Sequence, residues 1–265
     1  MPSLLLPAIL SASLAMAPTA QDSGGGLSIL LKAMIVSAAD MSEAVTAPGR
    51  PDSATALDES RKPAEVLGFL GLKPGMKAAD LMTGGGYWAE IMARAIGEKG
   101  HVTAFEPQQF YGDTTKTEWE ALLARQKGID LAVYPFEHFA AKPGSFDFAI
   151  TNLSYHDLYN QSEKFKIGPT DPAAFVKTLY NAMKPGGVVG VIDHVGLPGD
   201  MKMTTGTLHR IDPAVVKADF EKAGFVLEGS SDMLANPDDD HSKNVFDPSI
   251  RGKTDRFLMK FRKPR

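Results

Sequence analysis

A glycine-rich turn between two carboxylates is the most informative feature of this sequence. Residues 77–87 read KAADLMTGGGY, an apolar run that ends near Asp80 and continues through three glycines into a helical pattern. Glycine has no Cβ and tolerates positive φ, so such a turn lets the backbone approach a bound ligand. Glu106 ends the next apolar run, about 20 residues after the turn, where an acid can accept hydrogen bonds from both ribose hydroxyls. These residues predict a site for a nucleotide-like ligand.

The acid at the first strand end indicates the charge of that ligand. A dinucleotide would place its pyrophosphate at this turn, where the helix amino terminus attracts it and the Asp80 carboxylate would repel it. S-adenosylmethionine carries an ammonium and a sulfonium at the corresponding end and no phosphate, so it satisfies the pattern. We therefore predict that cofactor and not NAD. The predicted cofactor contacts are Asp80, Met82, Gly84, Gly85, Gly86, Tyr87, Glu106, Glu137 and Asn152.

Two of these contacts rest on weaker patterns than the turn. Phe136 and Glu137 follow the third predicted strand, where an aromatic face and an acceptor could hold adenine, although a phenylalanine beside a strand is as often a core residue. Asn152 ends the fourth predicted strand, at the edge of the sheet where ligands of open α/β folds gather.

Several histidines also follow predicted strands. His156 and Asp157 come after the fourth strand with Tyr155 beside them, His194 follows the fifth strand, and His209 lies in the next loop. One hypothesis makes His156 or His194 a general base oriented by a carboxylate, with Arg210 positioning an acidic substrate. A second makes His156, Asp157, His194 and His209 ligands of a metal ion. A third gives them only loop-stabilising hydrogen bonds.

The elements that must position these residues alternate between strand and helix. Short apolar runs at 77–82, 101–106, 129–134, 146–151 and 187–193 are separated by helical patterns, which predicts βαβ units and a parallel sheet. Helical spacing covers 57–70, and two Asp-Pro pairs at Asp171 and Asp212 open later helices. Two last strands, at 225–228 and 256–261, lack a clear helix between them. Arg61 and Lys62 could either reach the cofactor carboxylate or lie on a solvated face, and the solvated face is the expectation. Lys253 and Arg256 are expected at the surface, and the acidic cluster at 238–240 in a solvated loop.

The chain resembles class I S-adenosylmethionine-dependent methyltransferases, and within them a bacterial group of predicted methyltransferases often made with signal peptides. The motifs that carry the resemblance are RKPAEVL, KPGMKAADLMTGGGY, YHDLYN, MKPGG, VIDH, TLHRID, AGF and FDPSIRGKTDRF. The resemblance implies a Rossmann-like α/β fold: a seven-stranded, mostly parallel sheet with helices on both faces and an antiparallel last strand. In one departure, Met82 replaces the first glycine of the family's acid-x-Gly-x-Gly-x-Gly turn.

Composition narrows the alternatives. The 265 residues have a net charge of −4 and no cysteine, which disfavours nucleic-acid partners and excludes disulfides and thiolate metal sites. Residues 1–20 form an apolar run ending in an Ala-x-Ala pattern, typical of a signal peptide, although no basic residue precedes it. We therefore expect a signal peptide at 1–20, a linker at 21–50 and a methyltransferase-like domain at 51–265. The expected location is periplasmic or secreted, with the cytoplasm as the alternative and no integral membrane span after signal removal.

Together these patterns predict a methyltransferase that uses S-adenosylmethionine and a small-molecule substrate. Two alternatives remain open. A methyltransferase-like domain could bind the ligand as a sensor without catalysis, and a nicotinamide-dependent oxidoreductase is the third possibility, which Asp80 disfavours.

Overall fold

The computed structural model describes residues 41–163 and 165–265. The expected signal peptide and most of the expected linker lie outside the described residues. Residues 41–46 are helical, and within them Met41 and Ala44 are buried in the hydrophobic core. Residues 41–46 therefore pack with the domain, although we expect the domain to begin at residue 51.

Seven strands form one sheet in the order β3-β2-β1-β4-β5-β7-β6. Strands β1 to β5 are parallel neighbours, and β7 runs antiparallel between β5 and β6. This arrangement confirms the predicted Rossmann-like sheet and its antiparallel last strand. The bounds are β1 Lys77–Leu81, β2 His101–Pro107, β3 Ile129–Tyr134, β4 Phe146–Asn152, β5 Met183–His194, β6 Val226–Ser231 and β7 Arg256–Arg262.

Helices cover both faces of the sheet. Along β4, Phe148 and Ile150 pack into one hydrophobic cluster with α3 to α5, while Ala149 points to the opposite cluster with α6 and α7. This alternation follows from the two-residue period of a strand, and it explains why the strands read as continuous apolar runs. The helix bounds are α1 Asp52–Thr55, α2 Asp58–Arg61, α3 Pro63–Leu70, α4 Tyr87–Ile96, α5 Asp113–Arg125, α6 Pro172–Ala182 and α7 Pro213–Ala223. No helix of the described residues has the length and apolar character needed to cross a membrane.

The helix predicted over 57–70 is interrupted. Lys62 has φ +46° in the left-handed region and separates α2 from α3. The next residue is Pro63, whose ring disfavours the right-handed helical conformation in the residue before it. Proline then occupies the first position of α3, where its missing N–H is not needed. The break rotates α2 away from the α3 axis and brings Arg61 toward the glycine turn.

Shorter turns link the sheet to the site. A 3-10 turn at Phe136–His138 follows β3, another at Tyr155–Tyr159 follows β4, and a π-helical turn at Lys202–Thr207 follows β5. The two Asp-Pro pairs open α6 and α7 as predicted, because each aspartate side chain accepts a hydrogen bond from a backbone N–H in the first turn. All three short turns lie at the carboxyl edge of the parallel strands.

Candidate functional site

The glycine turn joins β1 to α4 and lies against α5. Gly84 and Gly86 both have positive φ, at +58° and +80°. A Cβ at Gly86 would lie 2.5 Å from Leu122 Cδ2 and about 3 Å from the Trp119 ring, so only glycine allows α5 to approach this closely. Trp119 Nε1 donates a hydrogen bond to the Gly84 carbonyl at 2.7 Å, which fixes the turn from outside. A Cβ at Gly84 would meet no atom within 4 Å, so the turn is open on that side.

Met82 shows how the turn tolerates its departure from the family pattern. It has φ +51°, in the left-handed region that glycine adopts without cost. The backbone therefore follows the glycine path although the residue is methionine, at a conformational cost on the order of 1 kcal/mol. Its side chain is buried in the cluster beneath the sheet, and this burial offsets that cost.

Two buried carboxylates flank the turn. The Asp80 carboxylate accepts hydrogen bonds from Thr83 Oγ1 at 2.5 Å and from the Ala89 N–H at 2.9 Å. Burial raises its pKa to about 7, and these two bonds limit the rise. Glu106 Oε2 accepts a hydrogen bond from the Gly84 N–H at 2.8 Å, and burial raises its pKa to about 8. Both side chains are about 1% exposed, so each charged form is costly without a nearby cation.

A cavity of about 630 Å³ opens beside the turn. Six of the nine predicted cofactor residues line it: Asp80, Met82, Gly84, Gly85, Tyr87 and Asn152. Gly86 and Glu106 lie behind this lining, although Glu106 contacts it through the Gly84 N–H. The remaining walls come from α1, α2, α5 and the residues after β4. The predicted residues of the turn therefore do lie together around one space of ligand size.

Glu137 lies outside this cavity. It accepts hydrogen bonds from the Gly168 N–H at 3.0 Å and from Gln109 Nε2 at 3.2 Å, which tie three loops together. These bonds, led by the one from Gly168, lower its pKa. Phe136 is 2% exposed and packs in the core, so its ring offers no free face to adenine. The structure therefore places this pair away from the cavity, and the adenine contact stays a prediction.

Arg61 lies at the cavity, although the sequence favoured a solvated face for it over contact with the cofactor carboxylate. Its guanidinium lies 4.3 Å from the centre of the Tyr87 ring and lines the cavity. Burial lowers its pKa, and the nearby Tyr87, Asp80 and Asp58 partly oppose that shift. Among the described residues it forms no salt bridge, since Asp58 is held by Arg50 in two bonds of 2.7 Å. A half-buried cation that forms no salt bridge among the described residues is thus placed at the ligand cavity.

His156, Asp157 and His209 meet beyond the ends of β4 and β5. One potential ligand atom from each of the three lies within 4.8 Å of the others. His156 Nδ1 lies 2.9 Å from Asp193 Oδ1, and its Nε2 lies 3.5 Å from Asp157 Oδ1. The His156 ring is therefore held between two carboxylates, while the His209 ring lies 5.5 Å from it.

The charges of this cluster are strongly coupled. Burial alone would lower the pKa of His156, but Asp193 and Asp157 raise it to about 9. Burial would likewise raise the pKa of Asp193, but the His156 charge holds it below its usual range. Asp157 has a raised pKa because it is buried. The cluster thus favours a positive charge at the His156 Nε2 position.

His194 and Tyr155 have different surroundings from His156. Burial lowers the pKa of His194 to about 3, and its Nδ1 lies 2.7 Å from Thr254 Oγ1, so it is a neutral, hydrogen-bonded imidazole. It is not part of the three-residue group. Tyr155 is fully buried and donates its hydroxyl hydrogen bond to Asp219 at 2.7 Å. The structure therefore places the Tyr155 hydroxyl in the core, bonded to Asp219, and its catalytic role stays a prediction.

Two arginines are buried although the sequence predicted otherwise. We expected Arg210 at the substrate and Arg256 at the surface. Arg210 is 0% exposed, forms a salt bridge of 3.0 Å with Asp239 and cannot reach a substrate in this arrangement. Asp239 is itself buried, although the acidic cluster around it was expected to be solvated. Arg256 is 8% exposed and donates a hydrogen bond to the Ser60 carbonyl at 2.7 Å. The Arg210 bond to Asp239 and the Arg256 bond to Ser60 thus connect segments that are distant in sequence.

The glycine-turn segment, about a quarter of the chain, matches a family of known enzymes. Residues 55–122 match the model of protein-L-isoaspartate(D-aspartate) O-methyltransferases. This segment includes α2 to α4, most of α5, the turn and both buried carboxylates. No curated protein matches this chain.

Solved structures of class I methyltransferase fold resemble most of this chain in their fold. An S-adenosylmethionine-dependent methyltransferase from Aquifex aeolicus is 20% identical, with 81% of this chain and 98% of that chain covered and a TM-score of 0.56. Another, from Mesorhizobium loti, is 15% identical, with coverages of 78% and 100% and a TM-score of 0.55. The [4+2]-cyclase SpnF is 16% identical over 96% of this chain and 99% of that chain, with a TM-score of 0.57. The chain thus has the class I methyltransferase fold, and the family match supports a methyl-transferring enzyme with S-adenosylmethionine as its cofactor.

Proposed function

We propose that this chain, which has the class I methyltransferase fold, transfers a methyl group from S-adenosylmethionine to a small-molecule substrate. The observation that carries the proposal is the pair of buried carboxylates, Asp80 and Glu106, on either side of an open glycine turn. A cationic, phosphate-free nucleoside ligand compensates both charges and offers hydroxyls to Glu106. When bound, the cofactor supplies an electrophilic methyl group on a sulfonium.

The residues around the cavity suit the two charged ends of this cofactor. Asp80 holds negative charge where an ammonium is expected, and Arg61 holds positive charge where a carboxylate is expected. Gly84 lets the backbone approach the ligand because no side chain intervenes. Trp88 also lines the cavity, and its indole Nε1 is buried without a hydrogen-bond partner among the described residues. An unsatisfied buried donor beside a cavity favours a ligand with acceptor atoms.

The far wall of the cavity indicates where the substrate enters. Asn152 ends β4, Ser154 follows it, and the next residues form the turn that holds His156. Methyl transfer requires the acceptor atom to be held in line and, for a neutral nucleophile, its proton to be removed. We assign acceptor positioning to the residues after β4. His156, oriented by Asp193, is the candidate base, and its pKa of about 9 means that only the minority of molecules with a neutral His156 accept a proton at neutral pH. The acceptor class is a small molecule, since the cavity volume suits a cofactor with one small partner.

Calorimetric titration with three ligands tests the proposal. The purified protein should bind S-adenosylmethionine and its demethylated product, and it should not bind NAD. Asp80→Asn keeps the acceptor for Thr83 and Ala89 but removes the charge, so both affinities should fall roughly 10- to 150-fold. Asp130→Asn is the matched control, because Asp130 is exposed on β3 and pairs only with His101. Preference for NAD, or equal affinities in the Asp80→Asn variant, would overturn the assignment.

A ligand sensor with the same fold is the second candidate function. The likeness to SpnF, a cyclase, motivates it, since that protein has this fold and is named for a different reaction. Incubation with the methyl donor and a panel of phenols, carboxylic acids and amines separates the two. Formation of the demethylated product with at least one acceptor supports the enzyme, whereas tight binding of the donor without product in any mixture supports the sensor.

We also propose export, which rests on the sequence pattern at residues 1–20 alone. Determination of the amino terminus of the protein isolated from its native cells tests this proposal. A mature chain that begins near residue 18 supports export. A chain that retains the apolar run and fractionates with the cytoplasm contradicts it.

A further inference from the structure

We infer that His156, Asp157 and His209 bind a divalent transition-metal ion at the carboxyl edge of the sheet. The three side chains belong to two loops that are distant in sequence, one after β4 and one after β5. Their ligand atoms lie within 4.8 Å of one another. This site is separate from the cofactor cavity, whose lining contains none of the three residues.

Asp193 holds His156 in the orientation that a metal ligand requires. The Asp193 carboxylate is fully buried and accepts hydrogen bonds from the backbone N–H groups of His156 at 2.9 Å and His194 at 2.8 Å. It also lies 2.9 Å from His156 Nδ1, so the proton of the neutral ring is favoured on that nitrogen. The Nε2 lone pair then points to the side of Asp157. A carboxylate that orients a histidine in this way is a general feature of metal sites.

The backbone at His209 is held in a strained conformation. Its φ is +54°, in the left-handed region that few non-glycine residues adopt. The next residue, Arg210, is anchored by bonds to Asp239 and to the carbonyls of Val195 and Lys243. These bonds fix the chain so that the His209 ring faces His156. A strained backbone conformation persists only where contacts with the surrounding structure hold it in place, and such conformations are concentrated at functional sites.

The ligand set points to a borderline metal. Two imidazoles and one carboxylate suit Zn²⁺, Fe²⁺, Co²⁺ or Mn²⁺, whereas Mg²⁺ and Ca²⁺ prefer oxygen ligands alone. Metal–ligand bonds of roughly 2.0 to 2.2 Å require ligand atoms about 3 to 3.5 Å apart. The His156 Nε2 to Asp157 Oδ1 distance is already 3.5 Å, and no pair of the three ligand atoms is more than 4.8 Å apart, so small side-chain movements bring all three to an ion.

Three protein ligands leave at least one coordination position open. His209 is only half-buried, and the cluster is therefore accessible to solvent on that side. A bound ion could hold and polarise an oxygen of the methyl acceptor, which would make the acceptor a hydroxyl- or carboxylate-bearing molecule. That use of the ion rests on the proposed function, whereas binding of the ion does not.

Metal titration of the full chain, purified without a histidine tag and dialysed against a chelator, tests the inference. With Zn²⁺ and Co²⁺ as probes, calorimetry should give one site per chain, and Co²⁺ should show the visible absorption of a nitrogen- and oxygen-ligated ion. His209→Ala and Asp157→Asn should each weaken binding at least 10-fold. Asp193→Asn should weaken it roughly 10- to 100-fold, as the loss of an orienting carboxylate does elsewhere.

His241→Ala is the matched control. His241 Nε2 lies 2.9 Å from Asp255 Oδ2, so this residue also pairs with a carboxylate. Among the described residues, the group with metal-site geometry is His156, Asp157 and His209, and His241 is not part of it. This variant should bind metal as the parent chain does. Equal affinity in parent and His209→Ala, or no binding of either ion by a parent with native circular dichroism, would overturn the inference. Metal binding by a chain that does not bind S-adenosylmethionine would keep this site and reject the proposed function.

Discussion

Replacing Glu106 with glutamine should make the ligand-free protein more stable and its cofactor binding weaker. Glu106 is 1% exposed, and no cation lies beside it in the described part of the chain. Glutamine is nearly isosteric and its carbonyl can still accept the Gly84 hydrogen bond. The substitution therefore removes a buried charge and little else.

The magnitude follows from the raised pKa. Burial raises the pKa of Glu106 from 4.5 to about 8. The native state therefore binds more protons than the unfolded state between these values, and stability falls as pH rises through that window. At about 1.4 kcal/mol for each tenfold change in the ionisation constant, the cost approaches about 5 kcal/mol above pH 8. Relaxation and water penetration reduce such costs, so we expect a net gain of about 2 kcal/mol in the variant.

Thermal denaturation at pH 4.5, 7 and 9, with and without S-adenosylmethionine, measures both effects. For a chain of this size a gain of about 2 kcal/mol raises the Tm by roughly 4 to 8 °C at pH 9, and the difference should vanish at pH 4.5. The cofactor should raise the Tm of the parent more than that of the variant. Glu98→Gln, at an exposed position after α4, is the control and should change neither. A Glu106→Gln variant that is less stable than the parent at pH 9 would refute the reasoning.

Three further substitutions test other parts of the structure. Gly86→Ala forces a Cβ to within 2.5 Å of Leu122 at φ +80°, so the Tm should fall by the equivalent of at least about 2 kcal/mol and cofactor affinity should fall with it. Arg210→Met leaves Asp239 charged and buried, so chemical denaturation should show a loss of about 3 to 5 kcal/mol, while cofactor affinity in the folded fraction stays unchanged. Tyr155→Phe removes one hydrogen bond, so stability should drop by about 1 kcal/mol while methyl transfer is retained, and a large loss of turnover would restore the catalytic interpretation.

The positions of the strands along the chain and the glycine turn were predictable because local patterns determine them, whereas the seven-stranded sheet with an antiparallel last strand was implied by the family resemblance. Strands buried on both faces read as continuous apolar runs, and each Asp-Pro pair marks a helix start through its own side chain and ring. The position of Glu106 beside the turn also follows from sequence, since parallel neighbours end at the same edge. The pairing of Asp80 with Ala104 in the register of β1 and β2 places both acids at that edge.

The side chains that the sequence misplaced depend on tertiary contacts. Arg61 reaches the cavity because Lys62 adopts a left-handed conformation before Pro63, a break that helical periodicity does not reveal but the proline could have signalled. Arg210 and Asp239 are hydrophilic residues whose burial depends on each other, from loops 29 residues apart. Similarly, Glu137 turns toward Gly168, a partner that no local pattern indicates.

The two buried acids of the turn also make ligand binding a proton-releasing event. With pKa values of about 7 and 8, Asp80 and Glu106 carry protons over much of the neutral range in the ligand-free protein. A cation that binds in the cavity beside Asp80 favours the ionised form of that carboxylate and expels up to about one proton. The binding enthalpy at pH 7 should then vary with the ionisation enthalpy of the buffer, and this dependence should disappear near pH 9.5. Because binding releases protons, the affinity for the cofactor should rise as the pH of the surrounding solution rises through the neutral range.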